Sequence, residues 1–225
     1  MSYAIESIAQ SIGARRVGEY EATIDWLLTD SRSLSFPEET LFFALTTKRN
    51  SGVRYIPELY ARGVRNFVVS EEEFKQVENG ELRIESAMQD NDAQPILNSQ
   101  LSTLNFSSTL NFPSILNFLI VPNPLKALQK LAEVHRERFN IPVIGITGSN
   151  GKTIVKEWLH QLLSPDRCIV RSPRSYNSQI GVPLSVWQLS EEAELAPMVA
   201  PRFTRVLRYS CLREMALLGL ITLVK

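Results

Sequence analysis

The residues best suited to chemistry lie in "TGSNGKT", at 147–153. Gly148 and Gly151 would let the backbone bend with its N–H groups turned inward around an anion, and a helix starting near Gly151 would add the partial positive charge of its amino end. Lys152 would reach the outer phosphates of a nucleotide, and the Thr153 hydroxyl would coordinate Mg²⁺. The longer form of such a loop needs glycine at position 146, where the chain has Ile146, so only the shorter form fits. The alternative is a chance Gly-Lys-Thr at a helix start. Against it stands the context: "VIGIT" before the loop has the all-apolar character of a central parallel strand, and the stretch after it places Val155, Trp158, Leu159, Leu162 and Leu163 on one helical stripe.

The elements that must position this loop begin upstream. Pro122 and Pro124 in "VPNP" disfavour helix before them, and a helix then carries Leu125, Leu128, Ala132, His135 and Phe139 on one face. Earlier still, "ATIDWLLTDSR" and "ETLFFAL" read as buried strands, "RYIPELYARG" as a short helix stopped by Gly63, and "VRNFVVS" as another strand. Strand, helix, strand in that order predicts an α/β layer with at least one parallel pair. Residues 71–100 turn polar, as a surface segment or linker does. "STLNF" at 102–106 and 108–112 and "SILNF" at 114–118 then recur with a period of six. A β-helix is one reading of that period, but the copies lack its glycines, and a tandem duplication in a loop, extending the strand "NFLIV", is favoured.

Lys and Arg together number 24, as do Asp and Glu, so no global field favours nucleic acid, and none is expected as a partner. Cys168 and Cys211 lack metal-ligand or redox spacing, and the amino terminus has no apolar signal core, which makes the cytoplasm the simplest location. The apolar run 216–224 falls short of the ~20 residues of a bilayer span. His135 and His160 sit in helical stretches without a nearby acid or cysteine at meaningful spacing, and Trp26, Trp158 and Trp187 are expected in the core.

"TGSNGKT" resembles the ATP loop of the Mur ligases, which build the peptide of bacterial peptidoglycan. Two further segments carry the resemblance. "LLTDSRSLSFPEETLFFAL" with "GVRYIPELYARGVRNFVV" is similar to the amino-terminal UDP-sugar-binding domain of the later ligases, and "SYNSQIGVPLSVWQL" to the family's asparagine segment. Within the family the likeness is to the branch that adds D-alanyl-D-alanine to UDP-N-acetylmuramoyl tripeptide, and "VPNPLKALQKLAEVHR" looks most like the form fused to an alanine racemase. The fold implied is α/β, a small amino-terminal substrate domain at 1–84, a linker with the hexapeptide repeat at 85–124, and an incomplete P-loop ATPase-type parallel-sheet domain at 125–196.

The resemblance implies ATP and Mg²⁺ as cofactors, with UDP-N-acetylmuramoyl tripeptide and D-alanyl-D-alanine as substrates. It assigns Thr147, Gly148, Ser149, Asn150, Gly151, Lys152 and Thr153 to ATP, with Thr153 also at the metal. It assigns Ser31, Arg32 and Thr46 to the UDP-sugar, and Lys152 and Asn177 to catalysis. A helix N-cap is an equal reading of Asn177, and a solvated charge is the other reading of Arg32.

Past "EEAELA" the resemblance implies a strand ending in a magnesium-binding glutamate, a histidine segment and a closing domain. The sequence instead continues "PMVAPRFTRVLRYSCLREMALLGLITLVK". Residues 197–225 are therefore expected to be a non-family, poorly packed tail, with the carboxy-terminal ligase half and any racemase half missing and ligation impaired. The alternative to a working ligase is a remnant that only binds UDP-sugar or ATP. Folylpolyglutamate synthetases share the short loop, but they and generic P-loop kinases leave the first 84 residues unexplained.

Overall fold

A computed structural model describes residues 1–46, 51–78, 116–146, 150–173, 176, 178–199 and 221–224. The chain divides after Pro124 into two compact units.

The first unit opens with β1 (Tyr3–Ala4) and α1 (Ile5–Ile12), whose Ile5, Ile8 and Ala9 are buried. Sequence reading passed over α1, although Ile5, Ile8 and Ile12 fall at helical spacing. β1 pairs antiparallel with β3 (Thr23–Ile24). The main sheet runs β2-β7-β6-β5-β4, made of β2 (Arg15–Val17), β4 (Trp26–Leu28), β5 (Thr40–Phe43), β6 (Asn66–Ser70) and β7 (Asn117–Val121). The neighbours from β4 to β7 are parallel, and β2 closes one edge antiparallel to β7. Every residue of β5 and β7 is buried, as strands covered on both faces require. The helix after β5 falls where expected, as α2 (Ile56–Ala61).

Aromatic rings tie the central strands together. Phe67 stacks on Phe118 with centroids 5.6 Å apart, Phe42 meets Phe67 edge-on at 6.4 Å, and Phe74 meets Phe118 edge-on at 5.6 Å. Such pairs contribute about 0.5–1.5 kcal/mol each beyond their area. Phe74 belongs to α3 (Glu71–Glu78), so the polar stretch expected as surface or linker begins as a helix. Glu71, Glu72, Lys75 and Gln76 cover the solvent side, while Glu73, Phe74 and Val77 supply the buried one. Likewise, the end of the segment expected as linker is the buried strand β7. The repeat copies at 102–106 and 108–112 lie outside the described residues. The third ends in Leu116, Asn117 and Phe118, all buried.

The second unit follows the strand, loop and helix order anticipated. It contains α4 (Pro124–Glu137), β8 (Val143–Ile146), α5 (Lys152–Leu163), α6 (Gly181–Val186), β9 (Ala196–Val199) and β10 (Ile221–Val224). β8 is central, with β9 parallel on one side and β10 antiparallel on the other. One face of the sheet buries Val143 and Ala196 with Ala132, Phe139, Val182, Val186 and Leu189, and the other packs Ile144, Ile146 and Leu195 against Val155, Leu159 and Leu163 of α5. Two expectations need correcting. The ends of the stretch expected as a poorly packed tail are strands in this sheet, because their backbones complete the ladders of β8; residues 200–220 lie outside the described part. The apolar stripe of α5 is also narrower than read. Val155, Leu159 and Leu163 face the sheet, whereas Trp158 is 66% exposed and Leu162 is 71% exposed, being one residue round the helix from that line.

Trp26 also lies outside the core, 49% exposed and stacked on Phe36 with centroids 5.2 Å apart, while Trp187 is buried as expected. Among the described residues no helix is long and apolar enough to cross a membrane.

His135 is a core residue. It is 2% exposed, donates from Nε2 to the Leu189 carbonyl at 3.2 Å, and sits between Phe139 and Trp187. Burial pushes its pKa down to about 4, against the opposing pull of the Leu189 carbonyl. The folded state therefore resists a proton that the unfolded chain accepts near pH 6.5. Stability is lost as pH falls from about 6.5 to about 4, by roughly 3 kcal/mol in all. Urea unfolding of wild type and His135→Leu across that window tests this: the wild type should lose more stability on acidification than the variant, and equal slopes would refute the assignment.

Candidate functional site

In the first unit the candidate substrate residues cluster by topology. Ser31 and Arg32 follow β4, Thr46 follows β5, and Ser70 ends β6; these are the carboxyl ends of three adjacent parallel strands, where open α/β sheets bind ligands. The chain leaves β4 through a short 3₁₀ turn, Ser31–Ser33, capped by the Asp30 carboxylate, which accepts from the Arg32 backbone N–H at 3.1 Å. Arg32 reaches back to the same carboxylate with Nε at 2.9 Å and Nη2 at 2.6 Å. That pairing holds the Asp30 carboxyl below its ordinary pKa. The Arg32 side chain is nonetheless 87% exposed, and a guanidinium carries five N–H donors, so donors beyond these remain for a phosphate. Ser31 differs from its neighbour in exposure. It is buried, and its carbonyl accepts from Arg62 Nη1 at 2.8 Å.

Thr46 is exposed, yet its hydroxyl donates to the Glu73 carboxylate and accepts from the Gly52 N–H at 3.4 Å. Glu73 is buried, and its other oxygen accepts from the Ser70 N–H at 3.1 Å and the Ser70 hydroxyl at 2.8 Å. The Glu73 N–H in turn donates to Ser70 Oγ at 3.3 Å, which makes this a capping box at the start of α3. Sequence reading missed Glu73 and Arg62 as supports of the site. The signal for Glu73 was present in "SEEEF", a Ser-x-x-Glu pattern ahead of a helix. No local pattern signalled Arg62.

In the second unit α5 starts at Lys152, directly after Gly151, whose φ is +76°. A side chain there would be strained, although a Cβ would meet nothing within 4 Å. At the amino end of this 12-residue helix Asn150, Gly151 and Thr153 are exposed and Lys152 is half-buried. The N–H groups of a helix's first turn, a lysine and a hydroxyl at an exposed amino end are a donor set suited to a nucleotide phosphate. Thr147, Gly148, Ser149 and Asn177 lie outside the described residues. No group of three or more His, Cys, Asp or Glu among the described residues could hold a metal.

No family model matches the chain. The solved structures it resembles include MurF from Acinetobacter baumannii, with a TM-score of 0.64 at 21% identity over 93% of this chain and 38% of that one. MurF ligase from Thermotoga maritima in complex with ADP matches with a TM-score of 0.50 at 22% identity over 78% of this chain and 32% of that one. The fold is therefore that of the Mur ligases. In sequence the chain is 37% identical over 78 residues to the UDP-N-acetylmuramoyl-tripeptide–D-alanyl-D-alanine ligase of Bacillus subtilis, covering 35% of this chain and 17% of the relative. The Haemophilus influenzae ligase of the same name is 26% identical over 194 residues, covering 84% of this chain and 34% of the relative. The chain is similar to these ligases, and it spans between 17% and 38% of the length of the proteins it matches.

Proposed function

We propose that the first unit binds UDP-N-acetylmuramoyl tripeptide, that the second binds ATP with Mg²⁺, and that the reaction they serve is ATP-dependent ligation of D-alanyl-D-alanine to the tripeptide in cytoplasmic peptidoglycan synthesis. The observation that carries this reading is the exposed amino end of α5, with Gly151 at positive φ and Lys152 beside it, in a fold shared with a ligase solved with ADP. The carboxylate of the tripeptide attacks the γ-phosphorus of ATP, and ADP leaves. The amine of the dipeptide then attacks the resulting acyl phosphate, losing a proton as phosphate departs and the amide forms. Such chemistry is catalysed by positioning and charge neutralisation.

In this reading Thr147, Gly148, Ser149, Asn150 and Gly151 wrap the phosphates with backbone N–H groups, and Lys152 neutralises the outer ones. Thr153 holds Mg²⁺, which supplies positive charge to the phosphate oxygens when bound. Asn177 lies near the reactive end. Ser31, Arg32 and Thr46 hold the UDP-sugar, with Arg32 on the diphosphate and Thr46 kept in place by Glu73. The domain division that fits is a substrate domain at 1–84, a repeat-bearing linker at 85–124 and the start of the ATP domain from 125, with β7 returned from the linker to the substrate domain's sheet and with β9 and β10 of the 197–225 stretch returned to the ATP domain's sheet.

A remnant that binds without turning over is the second reading, favoured by a second-unit sheet of three strands, β8 to β10, among the described residues. Phosphate release from ATP and Mg²⁺, measured with both substrates, separates the two. Release that needs tripeptide and dipeptide together supports the ligase. Tripeptide or ATP binding without release supports the remnant, and neither binding nor release refutes both.

A further inference from the structure

The proton of the Thr46 hydroxyl is already committed. Its Oγ1 donates to the Glu73 carboxylate, an acceptor with no proton to return, across 27 residues of sequence. Glu73 is buried, and its other oxygen accepts from the Ser70 N–H at 3.1 Å and the Ser70 hydroxyl at 2.8 Å. A carboxylate engaged on both oxygens is not free to turn from Thr46. The threonine is held from the loop side as well. The Gly52 N–H reaches its Oγ1 at 3.4 Å, and a Cβ on Gly52 would lie 2.6 Å from the Leu45 nitrogen, so the returning chain seats directly on the backbone before Thr46.

A hydroxyl has one proton to give and two lone pairs. With the proton on Glu73, the exposed Thr46 side chain meets a ligand only as an acceptor. The Ser51 hydroxyl stands 3.4 Å from the same oxygen, beyond the about 2.7–2.8 Å of a good O–H···O bond, and it is a rotor that a better-placed donor displaces. Arg32 is the opposite kind of group, since a guanidinium only donates. Arg32 and Thr46 each stand four residues beyond the paired Leu28 and Phe42, at one end of adjacent strands. The site therefore sets cationic donors beside a neutral acceptor. A phosphate oxygen suits the first and not the second, because at Thr46 it would meet a hydroxyl without a free proton and a carboxylate behind it.

We propose that Thr46 sets the specificity of the substrate site by accepting a hydrogen bond from a hydroxyl or N–H of the nucleotide sugar, and that Glu73 is the positioning residue that imposes this polarity. The diphosphate is left to Arg32. The proposal rests on the UDP-sugar reading of the first unit and narrows what Thr46 can touch.

The test is titration calorimetry of the full chain with UDP-N-acetylmuramoyl tripeptide. Thr46→Val keeps the shape of the side chain and should weaken binding about 3- to 10-fold, the effect of one neutral hydrogen bond. Glu73→Gln should weaken it by a similar factor. Its amide oxygen stays on the Ser70 N–H, which turns the NH₂ toward Thr46; the threonine then accepts from the glutamine and aims its own proton at the ligand's donor. Glutamine also serves at this position of a capping box, so α3 keeps its cap. In the Thr46→Val background, Glu73→Gln should change the affinity by less than about twofold, whereas damage to the fold would weaken binding in both backgrounds. Wild-type affinity in Thr46→Val, unchanged or tighter binding in Glu73→Gln, or an equal loss from Glu73→Gln in both backgrounds overturns the proposal. Binding by the wild type leaves the UDP-sugar reading standing in each of these cases, and a wild type that does not bind the nucleotide sugar overturns both.

Discussion

Lys152→Ala should weaken ATP binding about 10- to 100-fold while leaving binding of the UDP-sugar unchanged. Lys152 is the first residue of α5, beside the N–H groups of the helix's first turn. Hydrogen bonds to charged groups contribute roughly 1.5–3 kcal/mol, and each 1.4 kcal/mol is tenfold in affinity. The loss should be larger for ATP than for ADP, because the ammonium would reach the outer phosphates. The helix itself should survive, since its packing is made by Val155, Leu159 and Leu163 on another face. Titration calorimetry with Mg²⁺-ATP, Mg²⁺-ADP and UDP-N-acetylmuramoyl tripeptide reads all three affinities. An ATP affinity unchanged in the variant would remove Lys152 from the site, and an equal loss for all three ligands would point to damage to the fold instead.

The parts of this protein that were legible in the sequence are those whose physics is local. The strand and helix that flank the glycine loop could be read because a buried strand, two glycines and an amphipathic helix follow one another without interruption, and the structure has them as β8 and α5. The parallel sheet of the first unit could be read because β5 and β6 are apolar on both faces and flank a helix. β7 was half-read, as the "NFLIV" strand, but its place beside β6 at the centre of the sheet was hidden by the long polar segment between them. The edge of α5 was misread because a run of large apolar residues says that a face is apolar without saying that anything covers it. Trp158 and Leu162 are such residues.

The supports of the substrate site were harder to see for a different reason. Glu73 meets Thr46 across 27 residues of sequence, and Arg62 meets the Ser31 carbonyl across 31. Parallel connections bring such residues to the same end of the sheet, and no periodicity records the pairing. The capping-box pattern at Ser70 and Glu73 signals where a helix starts, while the second use of the Glu73 carboxylate, on Thr46, depends on the neighbouring strand. Local chemistry thus fixed one side of the glutamate and topology the other.

Gly18→Ala should destabilise the first unit by about 3–5 kcal/mol, the range of the severest single substitutions. Gly18 follows β2, and its φ of +110° is one that side-chain-bearing residues rarely adopt. Space is the larger obstacle. A Cβ at this position would lie 1.8 Å from the Leu116 carbonyl oxygen and 2.9 Å from its carbonyl carbon, both backbone atoms that cannot swing aside. Leu116 leads directly into β7, whose Phe118 pairs with Val17 of β2, so any retreat of the carbonyl disturbs the strand that joins β2 to the rest of the sheet. Gly13 supplies the control. Its φ is +65°, but a Cβ there would meet nothing within 4 Å, so Gly13→Ala should carry only the conformational cost of about 1–2 kcal/mol. Urea unfolding followed by the near-ultraviolet signal of the first unit compares the two variants. Equal losses would mean that φ alone sets the cost and that the close approach to Leu116 relaxes freely; a loss at Gly18 at least twice that at Gly13 is what a rigid junction between β2 and β7 requires.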